Sequence, residues 1–423
     1  MAAMNDALKI ERKPWLLLVS VYVTQYMGIA FIIAAAVAIM RQQGVALDRL
    51  AQLNLIALPI AGKILYAPFI DRYRPFFRGQ YRSWLIIAQA VMAVMLVGAG
   101  LLDIQQQFST ILLLLMVYGF AVSVQDVAVD GLSCKIFEAH RRQQASSLQF
   151  ASNLVGNIVG GGVLLLCYPW LQWQGALWVL AGLTMLTCLQ LLFFREPPVA
   201  ADATAQADGL GSRFRQLGRD VSGFVGRQRG WFLLLLVYPV GFASGFALLN
   251  PMLVDAGWSL GDIGFATKVV GSLIGVFSAL MATPLINWLG RKRALLALTL
   301  AQAAGMLFMV PVALGLTDRL HAYLAIAGYF AVNPALLAVL ATLIMDRAAQ
   351  TEAKATFFTL QISLVVFMGF VYSALGMVAA KHVGYFQVVV ATVILTSLMV
   401  WVIGKSLPAE RGVASMAGLQ HEH

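Results

Sequence analysis

The chain has 423 residues, 60% of them hydrophobic and 11% charged, with a net charge of +10 and a mean hydropathy of +0.81. A soluble protein of this length carries about 25% charged residues, so the composition argues against a water-soluble enzyme or nucleic-acid binder and for a polytopic membrane protein. Cys134, Cys167 and Cys188 lie in or beside apolar runs without metal-ligand spacing, and they call for neither a disulfide nor a metal site.

Each membrane span needs about 20 apolar residues. After the polar start MAAMNDALKIERKPW, span 1 is expected over 15–40. It is too long for a signal-peptide core, and no small-residue cleavage site follows it. Spans 2 to 6 are expected over 51–70, 84–102, 109–133, 148–167 and 175–194. A polar stretch, 195–230, separates them from spans 7 to 12 over 231–254, 260–286, 294–316, 321–344, 355–380 and 385–404, and 405–423 forms a tail. The expected fold class is an all-α polytopic membrane protein with twelve transmembrane helices and both termini cytoplasmic.

The basic residues orient this arrangement. With the N-terminus in the cytoplasm, 23 of the 29 Lys and Arg fall in inside segments, 4 outside, and Lys63 and Lys268 within spans. That bias follows the positive-inside rule and accounts for the net charge without nucleic acid. In the central segment the first half is rich in Pro, Ala and Asp and reads as a linker. The second half spaces Phe214, Leu217, Val221, Phe224 and Val225 at helical intervals among arginines, which predicts a short basic helix on the inner membrane surface.

The two halves are related. Pro68 and Asp71 near the inner end of span 2 match Pro284 and Asn287 near the inner end of span 8, and both loops end in basic clusters. VYVTQYMGIAF in span 1 matches VYPVGFASGF in span 7, and SLQFAS in span 5 matches TLQIS in span 11. All three offsets lie between 212 and 216 residues. Three matches at nearly one offset indicate a six-plus-six duplication, with bundles 1–194 and 231–404, an architecture of secondary transporters.

With these features the chain resembles the major facilitator superfamily. The loop after span 2 loosely follows that superfamily's signature, with Gly62, Asp71, Arg72, Gly79 and Arg82, but carries an extra YRPFF. KILYAPFIDRYRP (63–75) and SVQDVAVDGL (123–132) resemble the AmpG-like permeases, a group with a muropeptide branch and a ferric-siderophore (RhtX/FptX-type) branch. The resemblance implies a proton-coupled importer of the bacterial inner membrane. The favoured cargo is a ferric siderophore, and a cell-wall muropeptide is the alternative. It also implies that Asp71, with Arg72 and Arg82, belongs to a gating loop in which the acid caps a helix of the opposite half.

Asp126 and Asp130 stand in the inner half of span 4, where a mid-helix acid costs about 2.5–3.5 kcal/mol. Four residues apart, they share one helix face. Intramembrane ionisable residues mark functional sites, and two carboxylates this close repel, so one is suited to take up and release a proton. Lys63 in span 2 lies at the depth of Asp126 and is its expected partner, although a structural ion pair or a snorkelling lysine would also fit. Lys268, in the outer half of span 8, is expected only to reach towards the outer surface. Tyr22, Gln25 and Tyr26 on span 1, Gln125 and Gln149, Tyr238 and Phe242 on span 7, Asn333 and Gln361 are candidate substrate contacts, mixing aromatic stacking with amides. The same residues equally suit ordinary helix packing. GNIVGGG (156–162) offers close helix packing of the small-xxx-small kind. No nucleotide loop, hydrolase motif or zinc pair is present. No cofactor is expected, and the expected partners are a small-molecule substrate and membrane lipid, with the chain acting as a monomer.

Overall fold

The computed structural model describes residues 2–73, 75, 79–136, 149, 152–196, 210–316, 318–349 and 354–406. These residues are almost wholly helical, and none of them forms a strand. Among the described residues, ten helices are long and apolar enough to cross a membrane: Trp15–Gln42, Gln80–Gly100, Phe108–Ser133, Tyr168–Phe193, Arg229–Asp255, Leu260–Leu289, Arg291–Ala313, Arg319–Ala348, Phe357–Val383 and Tyr385–Lys405. They occupy the places of spans 1, 3, 4, 6 and 7 to 12.

The remaining two spans depart from regular helix. Span 2 is built in two pieces, 3₁₀-helix over Gln52–Ile56 and α-helix over Ala57–Arg72, and a short α-helix over Leu47–Ala51 leads into it from outside the span. Pro59 explains the break, since a proline removes a backbone donor and crowds the preceding turn. Span 5 is a shorter apolar helix, Ser152–Leu166, wound as a π-helix over Ile158–Val163, where three consecutive glycines stand. Two more π-helical turns occur at Phe31–Ala36 in span 1 and Phe265–Val270 in span 8. Hydrophobic periodicity does not foretell such insertions here, because these spans are apolar on nearly every side and a shift of helix phase leaves no mark in them.

Local chemistry fixes several ends. Ser259 caps span 8, its Oγ accepting from the backbone N–H of Asp262 at 3.1 Å, as an N-cap serine should. Spans 8 and 9 are joined by Gly290 at φ +77°, and spans 11 and 12 by Gly384 at φ +89°, conformations that glycine adopts without steric cost. In span 6, Gln172 at φ +52° interrupts the first turns, so regular helix resumes close to the expected start at 175.

Large apolar side chains face outward along the bundle, among them Phe277 (70% exposed), Leu280 (66%), Trp288 (80%) and Trp401 (63%). An apolar belt of this kind would drive aggregation in water, and it makes the chain a multi-pass membrane protein. One buried cluster gathers around Phe31, Ile39, Met40 and Tyr118 and extends to Leu248 and Val389 of the second half, and a second cluster joins Trp231, Leu336, Ile344 and Ile403.

The basic helix of the central segment covers Leu210–Arg227. It is not only a surface element. Phe224 is buried, with its ring 4.4 Å from Phe357 and 5.6 Å from Phe232, so an aromatic anchor docks the helix onto the second half.

Candidate functional site

The polar residues of span 4 meet side chains from three neighbouring spans. Lys63 Nζ lies 2.7 Å from Asp126 Oδ2. Gln25 Nε2 of span 1 donates to Asp126 Oδ1 at 2.7 Å. One turn further on, Tyr22 donates its hydroxyl proton to Asp130 Oδ1 at 3.0 Å. The two acids thus have different company. Asp126 is half-buried and holds a cation and an amide, whereas Asp130 is exposed and, among the described residues, accepts only from Tyr22.

Packing holds this arrangement in place. The Pro59 carbonyl accepts from Tyr66 at 2.8 Å and from Ser123 at 3.0 Å, and the two hydroxyls also touch each other. Those contacts tie the Lys63 segment of span 2 to span 4. Behind the acids, Gln89 of span 3 donates to Gln125 Oε1 at 2.9 Å and to Thr24 Oγ1 at 3.2 Å. Gln125 in turn donates to the Val21 carbonyl at 2.9 Å. A buried amide left unpaired costs about 1–3 kcal/mol, so this chain of bonds fixes spans 1, 3 and 4 in one register.

A cavity of about 360 Å³ lies between the halves. The first half supplies Val37 and Asn54; the second supplies Phe242, Phe246, Asn250 and Tyr329. Phe246 stacks on Tyr329, with centroids 4.7 Å apart and planes 19° from parallel, and meets Phe330 edge-on at 6.0 Å. Asn250 Nδ2 donates to the Ala34 carbonyl at 3.3 Å, within the π-helical turn of span 1, where the wider winding disturbs the helix's own bonding. Aromatic walls with a few amides suit a bulky, partly polar solute.

The end of the bundle opposite the basic loops is sealed by ion pairs between the halves. Arg41 grips Asp255 with two bonds, Nε to Oδ1 at 2.8 Å and Nη2 to Oδ2 at 2.6 Å. Tyr385 donates to the same Oδ2 at 2.6 Å. Lys381 Nζ lies 2.7 Å from Asp48 Oδ2, and this hydrogen bond holds the Asp48 carboxyl below the usual carboxylate range. Nearby, spans 5 and 8 approach so closely that a Cβ on Gly264 would stand 2.8 Å from the Gly162 carbonyl oxygen.

The expected site residues separate into groups. Asp126, Asp130, Lys63, Tyr22 and Gln25 form the cluster. Tyr26 is half-buried, with Gln149 and Asn153 at its hydroxyl. Of the candidate substrate contacts, Phe242 lines the cavity. Gln125 and Gln361 are fully buried, and Gln361 spends its amide on Trp231 at 2.6 Å and the Phe357 carbonyl at 2.8 Å. Tyr238 is buried against Thr299 at 3.0 Å. Asn333 is buried with Oδ1 unbonded. Arg82 binds the end of span 6 within its own half, Nε to the Leu191 carbonyl at 2.9 Å and Nη2 to that of Leu192 at 2.8 Å. Asp71 and Arg72 close the Ala57–Arg72 helix; their side chains lie outside the described residues. Lys268 does not reach the surface. It is 5% exposed, beneath Gly161 and Gly162 of span 5. Asn54, Phe246, Asn250 and Tyr329 were not singled out in the sequence; Asn54 and Asn250, amides inside apolar runs, carried the available signal.

Two six-helix halves around a shared cavity, sealed at one end and carrying charged groups inside spans 2 and 4, have the architecture of polytopic membrane transporters. The chain belongs to the Major Facilitator Superfamily, whose sequence model matches residues 18–380. The anhydromuropeptide permease of Escherichia coli (strain K12) is 29% identical over 269 residues, 63% of this chain and 54% of that protein. The chain therefore spans about half the length of the curated relatives it matches. Among solved structures, the nucleoside transporter NupG aligns over 94% of this chain and 100% of its own with a TM-score of 0.68 at 11% identity. A D-xylose–proton symporter aligns over 93% and 98% with a TM-score of 0.65 at 14% identity. At such identities these two show the shared fold alone. The siderophore expectation, drawn from a resemblance to one branch of the AmpG-like permeases, finds no support among these relatives.

Proposed function

We propose that this chain is a proton-coupled importer of a cell-wall muropeptide across the bacterial inner membrane. The observation that carries the coupling is the unequal company of the two acids in span 4: Asp126 is committed to Lys63, while Asp130 is accessible and held by one tyrosine hydroxyl. In this reading Asp130 takes up and releases the proton, with Asp126, Lys63, Tyr22 and Tyr26 as the titratable groups facing it. Asp126 and Lys63 remain paired and keep the local charge balanced. The muropeptide cargo is supported by the likeness to the E. coli permease and by an aromatic, amide-bearing cavity.

The halves, 1–194 and 231–404, rock about the cavity, with 195–230 as the cytoplasmic linker, 405–423 as a cytoplasmic tail, and Asp71, Arg72 and Arg82 in the gating loop. Closure at the Arg41–Asp255 end leaves the substrate path to open towards the basic, cytoplasmic face. The test is uptake of radiolabelled anhydro-muropeptide by cells lacking their own permease, with and without this chain and with and without a protonophore. Chain-dependent, protonophore-sensitive uptake is expected, and a labelled ferric siderophore should not accumulate. Equal muropeptide uptake with and without the chain refutes the proposal.

A further inference from the structure

Lys268 is a buried cation that nothing described above employs. It lies eight residues into span 8, about 12 Å from the helix start at the rise of an α-helix, too deep for its ammonium to snorkel to the membrane surface. Its side chain is 5% exposed. Among the described residues no acid pairs with it and no acceptor bonds it; its one close interaction is with the face of Phe246, 5.9 Å from Nζ to the ring centroid. A buried charge without a partner opposes folding by several kcal/mol, and membrane proteins keep such groups where they serve a solute or ion path.

The surroundings give that path a direction. Phe246 lines the cavity between the halves, so the ammonium sits against an aromatic ring of the cavity wall. On its other side, the stem of Lys268 runs along the glycines of span 5. A Cβ at Gly161 would meet Lys268 Cε at 2.8 Å, and one at Gly162 would meet Lys268 Cβ at 3.0 Å. These glycines belong to the first half and the lysine to the second, so the cover over the ammonium is an interface between halves. Both segments are π-helical, Ile158–Val163 and Phe265–Val270, a winding that recurs at functional sites. Separation of spans 5 and 8 would uncover the cation beside the cavity.

We propose that Lys268 is the docking cation for a carboxylate of the transported solute, engaged when the glycine face of span 5 withdraws from span 8. The ligand class is an anionic solute with a terminal carboxylate, such as the peptide arm of a muropeptide. This rests on the transporter reading and extends it to the chemistry the site selects. Phe246 shields the cation until a carboxylate replaces it, and a solute lacking that group leaves the charge unpaired, which is how a site discriminates between ligands of one shape.

The test compares wild type, Lys268→Met and Lys268→Arg for uptake of labelled anhydro-muropeptide and of the same molecule with its peptide carboxylates amidated. Wild type should show a KM at least tenfold lower for the carboxylate form. Lys268→Met should lose that preference, and Lys268→Arg should keep it. A preference that persists in Lys268→Met, or an equal loss for both ligands, overturns the assignment. A second readout needs no cargo: Lys268→Met removes an unpaired buried charge and should raise the Tm of the purified protein in detergent. A lowered Tm would make the lysine a packing element and overturn the proposal. Wild-type protein that moves neither ligand refutes the muropeptide reading, while a Tm lowered in Lys268→Met would still overturn the docking role and a raised one would uphold its premise of an unpaired cation.

Discussion

Replacing Lys63 by Met removes the cation from Asp126 and leaves the carboxylate with Gln25 alone. Taking one partner from a buried ion pair costs about 3–5 kcal/mol, mostly because the remaining charge is uncompensated. Here the side chains keep 23% and 16% of their surface exposed, and the Gln25 bond survives at 2.7 Å, worth about 1.5 kcal/mol to a charged acceptor. The expected loss for Lys63→Met is therefore about 2–3 kcal/mol. Asp126→Asn alone should cost a similar amount by stranding the lysine. The double variant removes both charges together, so its loss should be about 1–2 kcal/mol, well below the sum of the singles. Equilibrium unfolding of purified protein in mixed detergent micelles measures all three. Strictly additive losses would show that the two groups are not energetically coupled and would refute the assignment of Asp126 as the committed acid.

Two further outcomes follow from the sealed end. Asp255→Asn weakens the two-pronged grip of Arg41 and the Tyr385 bond, by about 1–2 kcal/mol for a charge-assisted pair at partial exposure. Labelling of an Asn54→Cys reporter by an impermeant maleimide added from that face should then quicken about 5–30-fold, and an unchanged rate would remove Arg41–Asp255 as a closing contact. The Asp48–Lys381 contact should be indifferent to pH between 5 and 8. Asp48 is held below its ordinary range by the lysine, so its contribution is present above the unfolded value of about 3.9 and is lost only as pH falls through the lower folded value. A labelling rate for the same reporter that differs between wild type and Asp48→Asn at pH 8 but converges by pH 5.5 would contradict this.

Much of the fold was readable because a bilayer leaves few choices. Runs of about 20 apolar residues must be helices. The depths of Lys63 and Asp126 could be compared for the same reason, and the two groups lie 2.7 Å apart. What periodicity could not show were the π-helical turns at Phe31–Ala36, Ile158–Val163 and Phe265–Val270, which rotate the helix ends without altering composition. Lys268 lies within the last of these turns and is buried, where the sequence suggested a residue reaching for the surface. Gln125 and Gln361 read as solute contacts because amides stand out in greasy helices, yet their partners, Gln89 and Trp231, come from other spans. Such pairings are fixed by tertiary packing. The cavity wall of Phe246 and Tyr329 was missed for a similar reason: an aromatic in an apolar run shows its neighbour only after folding.

The central claim is that Asp130 carries the coupled proton while Asp126 and Lys63 stay paired. Reconstituted into liposomes with labelled anhydro-muropeptide, Asp130→Asn separates the two functions most directly. The account predicts that the variant still exchanges internal for external substrate but no longer accumulates it when a proton gradient is imposed. Gradient-driven accumulation at the wild-type level by Asp130→Asn would contradict it.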